Sequence, residues 1–192
     1  MAAIGAPSFA FAQNDPRAVT VIGGDRHAQA CIDGVMAGQA TDELVEECTR
    51  AMRYPHLTRA GEEQILIDRG VVHMRRHEGD AAIADFDAVM ERNSHNAEAR
   101  VNRGSALVQL GRYGPAIVDL TAALGMGVSE PHKAYYNRGV AREALGDLRG
   151  AYEDYNTALQ IQPDWGPANA EVARFVRTRR DHLATVLNDP TP

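Results

Sequence analysis

The sequence lacks an apolar run long enough to cross a membrane as a helix. Its apolar N-terminal stretch, residues 1–12, is about a dozen residues long, whereas a membrane-spanning helix needs about 20. This stretch ends Ala10-Phe11-Ala12 before Gln13, the A-x-A pattern of a secretory cleavage site, but carries no positively charged region. We interpret it as the remnant of a signal whose start lies upstream, with a disordered apolar leader as the alternative.

Positive charge is also scarce. The chain has 20 Lys and Arg against 26 Asp and Glu, a formal net charge of -6, and Lys133 is its only lysine. Nucleic-acid-binding proteins usually present a basic face that neutralises phosphates. We therefore expect no nucleic-acid partner.

The sequence contains none of the common catalytic signatures. It has no G-x-S-x-G, no Walker loop, no G-x-G-x-x-G and no C-x-x-C pair. His73 and His77 are four residues apart on a predicted helix, but Met74 stands where the zinc-protease pattern requires Glu. We predict a chain that is not an enzyme and holds no cofactor or metal. The alternative is a small metal-binding or hydrolytic accessory protein that uses His56, His73 or His77.

Three copies of one short stretch dominate the rest of the chain. They read Asp68-Arg69-Gly70, Asn102-Arg103-Gly104 and Asn137-Arg138-Gly139, with the glycines 34 and then 35 residues apart. Counted from each glycine, an alanine stands at the twelfth position, a bulky apolar residue at the sixteenth and a smaller or branched one at the nineteenth: Ala82, Phe86, Val89; Ala116, Leu120, Ala123; Ala151, Tyr155, Ala158. Such a period indicates stacked repeats. The pattern resembles the tetratricopeptide repeat, a helix-turn-helix unit of 34 residues, over about residues 63–165.

The resemblance implies an all-α fold, a right-handed solenoid of antiparallel helix pairs. We expect a signal-like remnant and extended lead-in over 1–24, a repeat domain over 25–187 and a frayed tail over 188–192. The expected units are a degenerate pair at 25–57, repeats at 63–96, 97–131 and 132–165, and a capping helix at 167–187. The predicted helices are 25–37, 42–53, 60–76, 81–92, 97–110, 114–124, 132–145 and 148–161, with Asp25 and Thr41 as N-caps and Gly79-Asp80 as a turn.

The arginine before each glycine has a recurring acidic counterpart. Arg69, Arg103 and Arg138 precede Asp85, Asp119 and Asp154 by one constant interval. Because a partly buried guanidinium needs a carboxylate partner, we predict structural ion pairs. The pairing is either within a repeat or with the acid of the preceding unit, and we favour the second. In that register the acids are Glu47, Asp85 and Asp119. A ligand-binding row of arginines is the alternative.

The resemblance also implies a binding surface. In that family, peptide ligands lie in a concave groove lined by the first helix of each unit. The matching positions here are Ile67, Val71, Met74, Val101, Ser105, Val108, Tyr136, Val140 and Glu143, with Asn102 and Asn137 as candidates for bonding a peptide backbone. The cationic residues of the family's chaperone-tail clamp are not matched.

From this groove we predict a non-catalytic protein-interaction module or scaffold that binds an apolar or amphipathic partner segment. In one alternative, the chain's own lead-in or C-terminal helix fills the groove. In another, the chain is a self-assembling, homo-oligomeric scaffold.

Cysteine is limited to Cys31 and Cys48. Alignment with the repeats places Cys48 where Phe86 lies in the first clear unit and Cys31 level with the Arg-Gly dipeptide on the facing helix. This register predicts a disulfide between two antiparallel helices, in keeping with export to an oxidising compartment such as the bacterial periplasm. In a cytoplasmic protein, the alternative location, two buried thiols are expected instead.

Overall fold

The computed structural model describes residues 25–188, with side chains described as far as Arg179. The predicted signal remnant, the lead-in and the last four residues of the predicted tail lie outside the described residues. Asn188 is the last residue of the final helix.

Regular secondary structure in residues 25–188 is entirely helical. The helices are α1 (Arg26–Met36), α2 (Asp42–Ala51), α3 (Arg59–Arg75), α4 (Gly79–Arg92), α5 (Ala97–Gln109), α6 (Tyr113–Met126), α7 (Pro131–Ala144), α8 (Leu148–Ile161) and α9 (Gly166–Asn188). The predicted boundaries agree with these to within two residues.

Side-chain caps fix where several helices begin. Asp25 accepts the backbone N–H groups of His27 and Ala28 at the start of α1, and Thr41 accepts that of Leu44 at the start of α2. Thr58, Asn96 and Asp147 cap α3, α5 and α8 in the same way. Each such cap contributes about 1 kcal/mol, because it satisfies a backbone donor that has no partner within the helix. Asp25 and Thr41 are thus confirmed as N-caps.

The helices stack as pairs in two layers. We call α1, α3, α5 and α7 the A helices and α2, α4, α6 and α8 the B helices; each A helix contacts the B helix that follows it. The A helices also contact one another side by side, α1 with α3, α3 with α5 and α5 with α7, while α9 packs on α8. The described residues therefore form an all-α solenoid, and none of their helices is long and apolar enough to span a membrane.

The glycine of each repeat brings helix A close to helix B. A Cβ atom added to Gly70 would lie 2.5 Å from the Phe86 ring, and one added to Gly139 would lie 2.7 Å from the Tyr155 ring. Gly104 meets Leu120 at a similar distance, 2.7 Å. Since real Cβ atoms do not approach so closely, only glycine permits this packing.

The turn between α3 and α4 differs from the prediction. Gly79 is already the first residue of α4, so the assignment of Gly79-Asp80 as the turn is wrong. The left-handed residue of this turn is His77, with φ 62°, and its counterparts in the next two units are Gly111 (φ 72°) and Gly146 (φ 86°). A left-handed backbone suits glycine and strains histidine. The first clear unit therefore carries strain that the other two avoid.

Candidate protein-interaction site

Each repeat arginine holds the aspartate of its own unit with two bonds. Nε and Nη2 donate to the two carboxylate oxygens at 3.0 and 2.6 Å in Arg69–Asp85. The distances are 2.7 and 2.8 Å in Arg103–Asp119, and 2.9 and 2.7 Å in Arg138–Asp154. The register that we favoured, with the acid of the preceding unit, is wrong.

The preceding unit instead bonds the third nitrogen of each guanidinium. Nη1 of Arg69 donates to Thr49 Oγ1 at 3.0 Å, and the corresponding acceptors are Asp87 Oδ1 for Arg103 (2.5 Å) and Thr121 Oγ1 for Arg138 (3.1 Å). Thr49, Asp87 and Thr121 each lie two residues after the acid that the favoured register would have used. That recurring polar position was visible in the sequence. The arginine therefore ties its own unit to the one before it.

A second cationic or titratable side chain lies near each aspartate. Arg142 Nη1 is 2.9 Å from Asp154, Arg100 Nη1 is 3.5 Å from Asp119, and His73 Nε2 is 4.0 Å from Asp85. Hydrogen bonding to the aspartates raises the pKa of Arg69, Arg103 and Arg138 above its usual value. Because protein groups occupy these guanidiniums, the arginine row has a structural role and offers little to a ligand.

A second set of repeat residues lies on the side of the A helices that faces away from the B helices. Asp68, Asn102 and Asn137 precede the close-packed glycines by two residues, so they project about 160° from the face that meets helix B. Beside them lie Val71, Ser105 and Val140, one residue after each glycine. We call these six residues the inner face.

The inner face is more deeply buried than an open surface would be. Asp68, Asn102, Asn137 and Ser105 are each 0% exposed and Val71 is 3% exposed, while Val140 is half-buried. Asn137 Nδ2 donates to Ser105 Oγ at 2.6 Å, and Ser105 Oγ donates to the Val101 carbonyl at 2.9 Å. The first bond links α7 to α5 across the inner face, and the second lies within α5.

The other predicted groove residues lie between units. Ile67 and Met74 share a hydrophobic core with Ala99 and Ala106 of α5, and Val101 and Val108 share one with Ala134 and Ala141 of α7. The ring of Tyr136 packs 5.0 Å from that of Trp165 and 5.6 Å from that of Tyr155. The expectation that these five residues line an exposed groove is wrong, because each is at most 4% exposed. Glu143, also expected there, is half-buried and accepts a hydrogen bond from Tyr155 Oη.

Cationic groups near the inner face are already bonded to the protein. Lys133, on α7, is buried and its Nζ lies 2.7 Å from Glu130 Oε2. Arg75, near the end of α3, donates to the Val35 carbonyl at 2.8 Å, and burial lowers its pKa. Neither side chain is free to attract an acidic ligand without giving up a bond.

The histidines considered for metal binding have separate partners. His73 Nδ1 lies 2.6 Å from Glu78 Oε2, His77 Nδ1 lies 3.0 Å from Gln109 Nε2, and the His56 ring meets the Tyr54 ring edge-on at 5.7 Å. Hydrogen bonds from Arg76 and His73 lower the pKa of Glu78 to about 2. Within the part of the chain that the structure describes, no three His, Cys, Asp or Glu residues are grouped to hold a metal ion.

A disulfide joins the two helices of the first pair. Cys31 on α1 and Cys48 on α2 are bonded, with Cα atoms 4.9 Å apart, and both residues are 0% exposed. His27 Nδ1 and Glu47 Oε2, 2.5 Å apart, form a second link between these helices. The side chain of Glu47 also contacts Arg50, so this acid is bonded within the first pair.

Comparison with known proteins finds matches to one family of repeats over part of the chain. Family models described as tetratricopeptide repeat match residues 67–124 and 132–164. RNA polymerase II-associated protein 3 of Xenopus tropicalis is 35% identical over 108 residues, which cover 56% of this chain and 16% of that protein. Serine/threonine-protein phosphatase 5 of Rattus norvegicus is 34% identical over 83 residues, 43% of this chain and 16% of that protein. The chain thus spans about a sixth of the length of these curated relatives.

Solved structures agree with the family models. The first TPR of Spaghetti (RPAP3), bound to the HSP90 peptide SRMEEVD, has a TM-score of 0.57 and 27% identity, and the match covers 62% of this chain and 94% of that one. MamA from Desulfovibrio magneticus RS-1 shares the fold over 91% of this chain and 92% of its own, with a TM-score of 0.67 and 18% identity. The described residues therefore form an all-α solenoid that resembles tetratricopeptide-repeat structures, and two stretches of the chain match models of that repeat.

Proposed function

We propose that this chain is a non-catalytic protein-interaction module, a scaffold that holds an extended segment of a partner protein on its inner face. The observation that carries the proposal is the column formed by Asp68, Asn102 and Asn137, one residue per unit on the side away from the B helices. All three side chains are buried and already take part in interactions within the chain, so the extended backbone of a partner has to replace those interactions with hydrogen bonds of its own. Ser105 adds a hydroxyl beside them.

The similar solved structures support this class of function. The first repeat domain of Spaghetti (RPAP3) is bound to the HSP90 peptide SRMEEVD, and the second repeat domain of human RPAP3 is in complex with the HSP70 peptide SGPTIEEVD. We propose a different ligand chemistry for this chain. Its inner face carries the carboxylate of Asp68, while Lys133 and Arg75 are bonded within the protein. An uncharged, apolar segment therefore suits this face better than an acidic tail.

The unit boundaries are part of the same proposal. We assign the degenerate pair to 25–57, the repeats to 63–96, 97–131 and 132–165, and the cap to 167–187, so that the domain runs over 25–187. In this assignment the column provides one polar side chain from each of the three repeats.

Selection of peptides against the full chain tests the binding proposal. We expect a displayed library of extended peptides to yield apolar sequences whose affinity falls at least tenfold for Asn102→Ala/Asn137→Ala, because both column amides are lost. The matched control is Val118→Ser, a residue that is 68% exposed on α6, and we expect it to leave affinity unchanged. SRMEEVD, measured alongside, should bind at least tenfold more weakly than the selected peptides. Selected peptides that bind the double variant as well as the parent would contradict the proposal.

We also propose that the chain works in an oxidising compartment outside the cytoplasm, the periplasm if the source is bacterial. The buried bond between Cys31 and Cys48 supports this location, because cytoplasmic proteins usually keep their thiols reduced. Blocking free thiols during lysis of the source cells, followed by mass spectrometry of the unreduced protein, tests it. We expect no blocked cysteine, and two blocked cysteines would refute export.

A further inference from the structure

A groove lies between α8 and α9, at the C-terminal end of the stack. Leu148 and Tyr152 of α8 and Phe175 and Val176 of α9 line it, and its volume is about 530 Å³. We call these four residues the end groove. Leu148 and Val176 are each 55% exposed and Tyr152 is 39% exposed, while Phe175 is half-buried beside the rings of Tyr152 and Tyr155. The end groove thus presents large apolar side chains to solvent.

The end groove repeats a position that a further helix completes in the interior of the stack. Tyr152 follows Ile83 of α4, and Val176 follows Leu107 of α5, by 69 residues, the length of two repeats. Ile83 and Leu107 line a smaller groove, of about 360 Å³, to which α6 contributes Val118. There Leu107 is buried and Ile83 is half-buried. In the interior, a B helix therefore occupies the place that the end groove leaves open.

Helix α9 has the position of an A helix, but its B-facing side is uncovered. It packs on α8 as α5 packs on α4 and α7 packs on α6. Ala173 follows Gly139 by 34 residues, so it lies on the side that meets helix B in the regular units. Gly139 is buried against Tyr155, whereas Ala173 is exposed. Among the described residues α9 is the last helix, so this side of α9 has room for another.

The B-facing side of α9 is apolar where α7 is charged. Val172 and Val176 stand 34 residues after Arg138 and Arg142, the two arginines that are bonded to Asp154 of α8. A carboxylate buried against two valines would lack a partner and would be costly. A helix that covers α9 therefore needs an apolar residue where α8 has its aspartate.

Arginines flank the apolar strip. An α-helix turns by about 100° per residue, so Arg177 and Arg179 lie on opposite sides of Val176. Both are exposed, as is Arg149 on the α8 side of the groove. Acidic residues beside the apolar stripe of an incoming helix would face these guanidiniums and orient it. Charge complementarity therefore favours an acidic helix over a basic one.

We propose that the end groove binds an amphipathic α-helix of a partner protein, with acidic residues beside its apolar stripe, in the position that a B helix takes in the regular units. Binding would cover Leu148, Tyr152 and Val176 and complete the helix pair that α9 begins. This surface is separate from the inner face, so the inference goes beyond the proposed function and does not depend on it.

A peptide copy of α4, residues 79–92, tests the proposal on the full chain. It is an acidic B helix with four acids and one arginine. A hydrocarbon staple in place of Ala81 and Ala84, which are exposed in α4, keeps it helical, because isolated helices of this length are marginal in water. We expect Val176→Asp to bind the labelled peptide at least tenfold more weakly than the unaltered chain does, since the new carboxylate would be buried against its apolar stripe.

The matched control is Val118→Asp, which adds the same charge to an exposed valine of α6. It should bind the peptide as the unaltered chain does. A peptide that does not bind the unaltered chain, or that binds Val176→Asp equally well, would overturn the proposal.

A charge exchange tests the chemistry of the partner. A second peptide, with lysine at Asp80, Asp87 and Glu91, should bind the unaltered chain at least tenfold more weakly than the first, because it faces arginines. Arg177→Glu/Arg179→Glu should reverse this preference. The same preference in the parent and the variant would refute the assignment of an acidic partner.

Two further measurements separate the end groove from other sites. Asn102→Ala/Asn137→Ala, the variant that tests the inner face, should bind the α4 peptide as the unaltered chain does. Weaker binding would place the peptide on the inner face and overturn the proposal, whereas failure of the library peptides alone would leave it standing. Native mass spectrometry should show the same stoichiometry for the unaltered chain and Val176→Asp. A dimer that becomes a monomer in the variant would make a second copy the occupant and contradict the proposal.

Discussion

The first helix pair, α1 and α2, and the three regular units, α3–α4, α5–α6 and α7–α8, connect their two helices through different contacts. In the regular units a glycine of helix A meets Phe86, Leu120 or Tyr155 of helix B. In the first pair, Cys31 and Cys48 take the corresponding places and are covalently bonded. The regular units add an arginine bonded to the aspartate of helix B, whereas the first pair has His27 bonded to Glu47. The first pair also has a close glycine contact, between Gly34 of α1 and Leu44 of α2. What distinguishes this pair is therefore a covalent bond where the later units have a bidentate ion pair.

Position in the stack explains the difference. A repeat unit gains stability from its neighbours, and a terminal unit has one neighbour fewer. The arginines of the regular units bond Thr49, Asp87 and Thr121 of the unit before them. Closing the loop between the two cysteines, whose sequence separation is 17, contributes about 3 kcal/mol in the loop-entropy description, which offsets part of what the end unit lacks. The two regions should therefore respond to different perturbations.

The largest expected effect belongs to the aromatic packing of the third unit. Tyr136→Ala removes a ring that is 1% exposed and packs on Trp165 and Tyr155. We expect the free energy of unfolding to fall by about 4 kcal/mol, because a large cavity opens in the core. Urea denaturation followed by circular dichroism measures it. A loss below about 1 kcal/mol would mean that Tyr136 is not part of the core.

Breaking a bidentate ion pair should come next. Asp154→Ala leaves two guanidiniums, Arg138 and Arg142, facing a site from which the carboxylate is gone. We expect a loss of about 3.5 kcal/mol, since removal of one partner from a buried pair leaves uncompensated charge. The matched control is Glu153→Ala, whose carboxylate is 60% exposed and bonded to exposed Arg149. Its expected effect is below about 0.5 kcal/mol, and equal effects of the two substitutions would contradict this account.

Removal of the disulfide should destabilise the first pair by a slightly smaller amount. Cys31→Ser/Cys48→Ser is expected to lower the free energy of unfolding of the first pair by about 3 kcal/mol. The parent chain should lose the same amount in a reducing agent, and the double variant should be insensitive to it. Chemical denaturation of both proteins with and without dithiothreitol provides the measurement. A double variant as stable as the oxidised parent would show that the bond contributes nothing.

A stabilising substitution is expected at the first turn. His77→Gly should raise the free energy of unfolding by about 0.5 to 1 kcal/mol, because the left-handed backbone at this position suits glycine. The gain is reduced by the loss of the contact with Gln109. Gly111→Ala tests the same position in the next unit, where φ is 72°, and should be destabilising. Thermal unfolding of both variants decides the matter, and changes of the same sign would contradict the assignment of strain.

The smallest expected effect is a change in stability at acidic pH. The pKa of Glu78 is lowered from 4.5 to about 2 by hydrogen bonds from Arg76 and His73. A carboxyl whose pKa is lower in the folded chain stabilises the fold above its unfolded pKa, and this contribution is lost as pH falls toward the folded pKa. The stability difference between the parent and Glu78→Gln should therefore shrink between pH 5 and pH 2. Urea titrations across that range measure it, and a difference that grows with acid would refute the assignment.

Periodicity in the sequence determined most of the fold. The spacing of Gly70, Gly104 and Gly139 predicts the repeat, and capping residues such as Asp25 and Thr41 predict where helices begin. The turn at His77 was missed because glycine is the usual left-handed residue, and the nearby Gly79 attracted the assignment. Here the left-handed residue is a histidine.

The site was less predictable, because spacing identifies the face of a helix but not what packs on it. The interval between Arg69 and Asp85 recurs in the later units and is compatible with pairing within a unit. Glu47 in the preceding pair was an alternative partner for Arg69, and it led us to favour the other register. Residues such as Ile67 and Val101 lie on the A helices as predicted, but each belongs to a hydrophobic core that includes residues of the next A helix. Asp68, Asn102 and Asn137 lie about 160° around the A helices from the glycines that meet the B helices. Their position marks the side of the A helices that is opposite the B layer.

Hydrogen exchange of the oxidised and the reduced chain tests the contrast between the two regions most directly. In the oxidised chain we expect the amides of α1 and α2 to be protected, and reduction should speed their exchange at least tenfold while α5 to α8 keep their rates. This result follows if the disulfide stabilises the first pair alone and the arginine–aspartate bonds hold the rest. Exchange that changes equally in all helices, or not at all in α1 and α2, would contradict it.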